Sequence, residues 1–124
     1  MFNDDKESGD IVPTAKMIIY PVSDLTKAKE VFTPLIGVEP YVDEVYYVGY
    51  RTGDQEIGLN PRGHRQGVAR PVCYWKVENI QQTLRRLLAT GAVLRQDVTD
   101  VGGGRLVATI ADADGNDLGL LQDQ

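Results

Sequence analysis

The run KMIIYPV (16–22) is short, apolar and β-prone, and the rhythm of apolar positions changes directly after it. In SDLTKAKEVFTPLIG (23–37), Leu25, Ala28, Val31, Phe32 and Leu35 recur at helical spacing behind the capping residues Ser23 and Asp24. A strand followed by an amphipathic helix is expected, with Gly37 closing the helix. Pro34 stands in its last turn, lacks an N–H, and is expected to shorten or distort the helix there. YVDEVYYVGY and QEIGLN then read as strands around an RTGD turn.

The same order starts again at Arg70. RPVCYWKV (70–77) is a strand, and ENIQQTLRRLLATG (78–91) is a helix with Ile80, Leu84, Leu87 and Leu88 on one face. AVLRQDV, RLVATIA and DLGLL follow as strands. VSDL…LIG parallels VENI…ATG, and EIGL (56–59) parallels DLGL (117–120). The chain thus reads as two copies of a strand–helix–strand–strand–strand unit of about 50 residues. The expected fold is α+β: two βαβββ modules, each a cupped mixed sheet with its helix outside. Residues 1–14 are polar and acidic and are expected to be a disordered lead-in. Residues 15–122 form one domain: module one 15–60, linker 61–70, module two 71–122. NPRGHRQGVARP between the modules reads as a solvated linker, with a lid bringing Arg62, His64, Arg65 and Arg70 to an anionic ligand as the alternative.

Composition narrows the function. The net charge of −5 disfavours nucleic acid and anionic membrane surfaces as partners. No apolar run approaches the roughly 20 residues of a membrane span, and the acidic start is unlike a signal peptide. Cys73 is the only cysteine, so no internal disulfide forms and a reducing, cytoplasmic setting is expected. With His64 the only histidine, a zinc site built from several His or Cys ligands is excluded within one chain. By strand alternation Cys73 shares a face with Trp75 and Val77, as a buried apolar thiol does.

Two glycine-bearing stretches invite chemistry. DADGND (112–117) resembles the start of a calcium loop, but Gly115 falls one place too early and Asp123 stands where a bidentate Glu is needed. A hairpin turn is the reading that remains. VGGGR (101–105) leads into a strand pattern rather than a helix, so it reads as a hairpin connection and not a phosphate loop.

The repeat, YPVSDLTKAKEVFTPLIG and the ending GGGRLVATIADADGNDLGLLQ together resemble the vicinal oxygen chelate superfamily of glyoxalase I, bleomycin-resistance proteins and extradiol dioxygenases. Ala113 stands where that family usually has proline in its D-P-D-G-N ending. Carried over residue by residue, the resemblance puts the usual metal-ligand positions at Met17, Gly58, Val72 and Gly119. None of the four offers a carboxylate or imidazole, so no metal and no cofactor is expected. The same positions outline a cavity. Met17, Ile19, Gly58, Asn60, Val72, Tyr74, Gly119 and Leu121 are its expected ligand-binding residues, with space left at the two glycines. Ile18, Tyr20 and Val22 are expected under the helix, Lys76 inward, and Trp75 behind. Tyr46, Tyr47 and Tyr50 are further aromatic candidates whose direction alternation does not fix.

The resemblance implies a metal-independent small-molecule binding protein, taking an apolar or aromatic compound and forming a homodimer. The alternative is a lyase, isomerase or hydrolase with Glu56 or Asp117 as general base and Tyr74 or Lys76 as acid. A third reading is an accessory domain that only dimerises or binds a protein partner, and a cavity filled by side chains would favour it.

Overall fold

The computed structural model describes residues 12–63 and 69–124. They form two compact units, residues 16–73 and residues 74–124 with 12–15. The lead-in over 1–11 and the linker over 64–68, His64 and Arg65 included, lie outside the described residues.

The first module runs β1 (Thr14–Pro21), α1 (Leu25–Ile36), β2 (Val42–Glu44), β3 (Tyr47–Thr52) and β4 (Gln55–Asn60). Its strands lie in the order β2-β3-β4-β1. β1 pairs parallel to β4, with Met17 opposite Glu56 and Ile19 opposite Gly58. β3 pairs antiparallel to β4, with Gly49 opposite Gly58 and Arg51 opposite Glu56. Asp24 caps α1 by accepting a bond from the Lys27 N–H, and Gly37 ends it at φ 87°, where a side chain would be strained. One sheet face meets the helix. Val48, Tyr50 and Leu59 are fully buried there against Tyr20, Val22, Leu25, Ala28, Phe32 and Ile36. The Tyr20 and Phe32 rings lie 5.0 Å apart.

The second module repeats the plan as β5 (Val72–Lys76), α2 (Ile80–Ala89), β6 (Val93–Asp100), β7 (Leu106–Ala111) and β8 (Asp117–Gln122). Its order is β5-β8-β7-β6. Asn79 caps α2 as Asp24 caps α1, accepting from the Gln82 N–H. The strand-to-helix junctions also match: Val22 N–H donates to the Asn60 carbonyl at 3.0 Å, and Val77 N–H to the Leu121 carbonyl at 2.8 Å. Ile80 and Leu84 of α2 bury against Val77, Ala108, Ile110 and Leu120. The α+β, twice βαβββ architecture is the one expected.

Three details differ from the sequence reading. YVDEVYYVGY is not one strand: it folds back at Val45 and Tyr46, so β2 and β3 form a hairpin. Its β-prone composition hid the turn, which leaves Val45 at 90 % exposure. Pro34 does not end α1, which continues to Ile36 before Gly37 stops it. So near the C-terminus the missing N–H costs a single bond. Trp75 is not packed behind its strand but 41 % exposed, unlike its counterpart Tyr20. No helix among the described residues is long and apolar enough to cross a membrane.

Candidate functional site

Alternation along β1, β3 and β4 places Met17, Ile19, Tyr47, Gly49, Arg51, Glu56, Gly58 and Asn60 on the sheet face away from α1. The expected space at Gly58 is not there. A β-carbon on Gly58 would collide with the Tyr47 ring, and one on Gly49 would come within 3.2 Å of both Tyr41 and Tyr47. The glycines let two aromatic rings lie down on the sheet, which is the usual reason for glycine inside a strand. Tyr47 stays half-buried. Of the other tyrosines, Tyr50 points into the helix core and bonds Thr33 Oγ1 at 2.8 Å, while Tyr46 stands exposed at the hairpin tip.

Glu56 is the buried charge of this face, at 5 % exposure. Tyr41 donates its hydroxyl to Glu56 Oε1 at 3.0 Å, and Lys16 Nζ lies 3.7 Å from Oε2. Lys16 also donates to the Asp54 carbonyl at 2.9 Å. The Arg51 guanidinium lies over the Tyr41 ring, 4.0 Å from its centroid. A buried carboxylate needs such partners to stay charged. Tyr41 is the residue sequence reasoning missed, because it precedes β2 and is brought to the face by the bond from its N–H to the Gly49 carbonyl. Strand glycines at 49 and 58 were the available signal, since each calls for a bulky cross-strand neighbour.

Module two answers the same need from another strand. A β-carbon on Gly119 would collide with the ring of Tyr74, which is 9 % exposed. Burial pushes the Tyr74 hydroxyl above its ordinary pKa, and the Asp117 charge adds to the shift. Asp117 itself pairs with Arg95 Nε at 3.3 Å. Leu121 is fully buried and Val72 is 4 % exposed. Lys76, expected inward as an acid, is half-exposed and lies 3.6 Å from Asp123, which also takes two bonds from Arg105. The Cys73 thiol is half-buried, and burial raises its pKa.

The two glycine-bearing stretches are turns. Asp112 accepts bonds from the backbone N–H groups of Asp114 and Asn116 and from the Asn116 amide, and Gly115 takes φ 82°. Those bonds, the Asn116 side chain first, hold the Asp112 carboxyl below its ordinary pKa. VGGGR joins β6 to β7 with all three glycines at positive φ. A surface depression of about 280 Å³ lies beside α1, lined by Leu25, Thr26, Lys29, Asp43, Glu44 and Val45. The Lys29–Asp43 pair at 3.0 Å sits in its wall, and the depression shares no residue with the Glu56 face.

No family model and no curated protein matches the sequence. Solved structures do match. A glyoxalase/bleomycin resistance protein/dioxygenase superfamily member from Vibrio splendidus 12B01 superposes with a TM-score of 0.67 at 14% identity, over 90% of this chain and 100% of that one. The chain has the glyoxalase/bleomycin-resistance/dioxygenase fold. Methylmalonyl-CoA epimerase from Mycobacterium tuberculosis matches with a TM-score of 0.65 at 16% identity, covering 88% of this chain and 87% of that one. An NAD-dependent benzaldehyde dehydrogenase from Legionella pneumophila gives 0.68 at 14% identity, over 87% and 98% of the two chains. Names this different on one architecture leave the activity to be argued from the site.

Within this fold the positions Met17, Gly58, Val72 and Gly119 carry a thioether, no side chain, an isopropyl group and no side chain. Among the described residues no three His, Cys, Asp or Glu side chains converge.

Proposed function

We propose that the protein binds a small planar aromatic or apolar molecule without a hard divalent cation. The carrying observation is that Tyr47 and Tyr74 cover Gly58 and Gly119, two of the four positions where metal-using members of the fold hold ligands. Those four residues do not fit a hard cation, which needs carboxylate or imidazole donors. Aromatic surface stands in that place instead, and small-molecule sites are built from such walls with a few fixed polar groups. The binding surface in this reading is the module-one face. There Tyr47 and Ile19 are half-buried, and Glu56 and Asn60 supply polarity. Tyr74 and Leu121 are too deeply buried to offer open wall. The lone Cys73 supports a cytoplasmic setting, and a homodimer, as expected of these half-covered sheets, is part of the proposal.

The test is elemental analysis of the purified chain beside a fluorescence titration with 2-naphthylmethanol and 2-naphthoate. No stoichiometric metal and saturable binding of at least one compound, weakened at least tenfold in Tyr47→Ala, is the expected result. Zinc, iron or manganese held one per chain would overturn the metal-free reading. Two compounds that both fail to bind would overturn the small-molecule reading.

A second reading is favoured by one observation, the 5 % exposure of Glu56 beside a tyrosine hydroxyl and a lysine. As general base Glu56 would take a proton from a bound substrate, with Tyr41 holding the carboxylate in place. Glu56→Gln separates the readings: binding kept and turnover lost supports the enzyme, whereas an active variant removes it.

A further inference from the structure

The face around Glu56 has an imbalance of charge. Arg51 and Glu56 are opposite one another in the β3–β4 register, so an ion pair between them is the simple expectation. Glu56 instead pairs with Lys16 and accepts the Tyr41 hydroxyl. Arg51 turns to the Tyr41 ring, and no carboxylate among the described residues lies within ion-pair distance of its guanidinium. Asp54, at the neighbouring turn, offers Lys16 its backbone carbonyl. Among the described residues, Lys16 pairs with Glu56 and Arg51 adds a second positive charge to this face, on a chain whose net charge is −5.

The position over the ring matters as much as the charge. A guanidinium held over a ring by cation–π attraction spends none of its N–H donors on a carboxylate of the chain, and those donors form a fork that matches a ligand carboxylate. Tyr41 is in turn fixed by its bond to a buried carboxylate. The cation therefore sits over a fixed ring at an exposed position, two residues along β3 from Gly49 and four from Tyr47.

We propose that Arg51 is an anion receptor and that the ligand of this face is a planar aromatic anion, its ring on Tyr47 and its charge on Arg51. The proposal rests on the small-molecule reading above and adds the ligand's charge to it. The Glu56 carboxylate, bonded by the Tyr41 hydroxyl and paired with Lys16, has its repulsion of an anion offset by those partners.

The experiment compares 2-naphthoate with neutral 2-naphthylmethanol on the full chain, in wild type, Arg51→Gln and Arg51→Lys. Wild type binds naphthoate at least tenfold more tightly than the alcohol. Arg51→Gln removes that preference and leaves the affinity for the alcohol within about twofold, and Arg51→Lys retains part of it because the charge stays while the fork is lost. Equal affinity of wild type for the two compounds, or an undiminished preference in Arg51→Gln, overturns the proposal while the small-molecule reading stands. If neither compound binds, that reading falls and the proposal falls with it.

Discussion

The two modules share a backbone frame and differ in what covers it. Their N-terminal helix caps, junction bonds and final-strand glycines correspond residue for residue. Yet Gly58 is covered from β3 by a half-buried Tyr47, and Gly119 from β5 by a buried Tyr74. The helices differ in the same sense. α2 buries Ile80 and Leu84, whereas no residue of α1 is buried, and Val31 and Leu35 are 62 % and 74 % exposed. Module two holds the tighter core, and module one keeps the more open surface and the arginine over its ring. The two modules share the frame, and they differ in the side chains laid upon it.

The largest effect should come from the helix anchors, Ile80 and its counterpart Leu25. Ile80 is fully buried, so Ile80→Ala should cost about 3 kcal/mol through lost burial and a cavity. Leu25 is half-buried, and Leu25→Ala should cost about 1 kcal/mol. Equal losses in urea denaturation would contradict the contrast between the cores.

Next are the covered glycines. Gly119→Ala should destabilise by about 2 kcal/mol, since the Tyr74 ring has nowhere to go. Gly58→Ala should cost less, because the half-buried Tyr47 ring can swing outward. A double-mutant cycle with Tyr74→Ala checks the cause: the Gly119→Ala penalty should shrink sharply once the ring is gone.

The caps provide a symmetric control. Asp24→Ala and Asn79→Ala should each cost about 1 kcal/mol, since both side chains accept one N–H at the helix start. A large difference between them would mean that the shared frame is less equal than its geometry.

The smallest effect is alkaline. With its folded pKa raised, Tyr74 keeps its proton when the unfolded chain loses it. The associated stability is complete below the unfolded tyrosine pKa of about 10 and is lost as pH rises through the folded value. Tyr74→Phe should therefore flatten the decline in stability above that pH, and an unchanged slope would assign the decline elsewhere.

Much of this was legible in the chain. Helical spacing gave both helices, the first with Ser23 and Asp24 before it, and DADGND and VGGGR were readable as turns because their glycines and Asx groups act locally. Alternation also placed Ile18, Tyr20 and Val22 on the opposite side of β1 from Met17 and Ile19, and the core confirms Tyr20 and Val22 against the helix. The hairpin at Val45 was not legible, since no Gly or Pro marks it. The space at Gly58 and Gly119 was misread for a related reason: a glycine shows that something comes close without showing what.

By itself the sequence determined the repeat and the faces of its strands, which follow from residue type and short periods, and at Met17, Gly58, Val72 and Gly119, the positions the resemblance marks, it shows no hard-metal donor. Only tertiary structure decided that Tyr47 and Tyr74 lie on the glycines, that Tyr41 reaches Glu56, and that Arg51 lies over a ring instead of pairing with the carboxylate across from it. Each of those is a choice among neighbours brought together by pairing of strands, where one partner's occupation of Glu56 settles where the next must go.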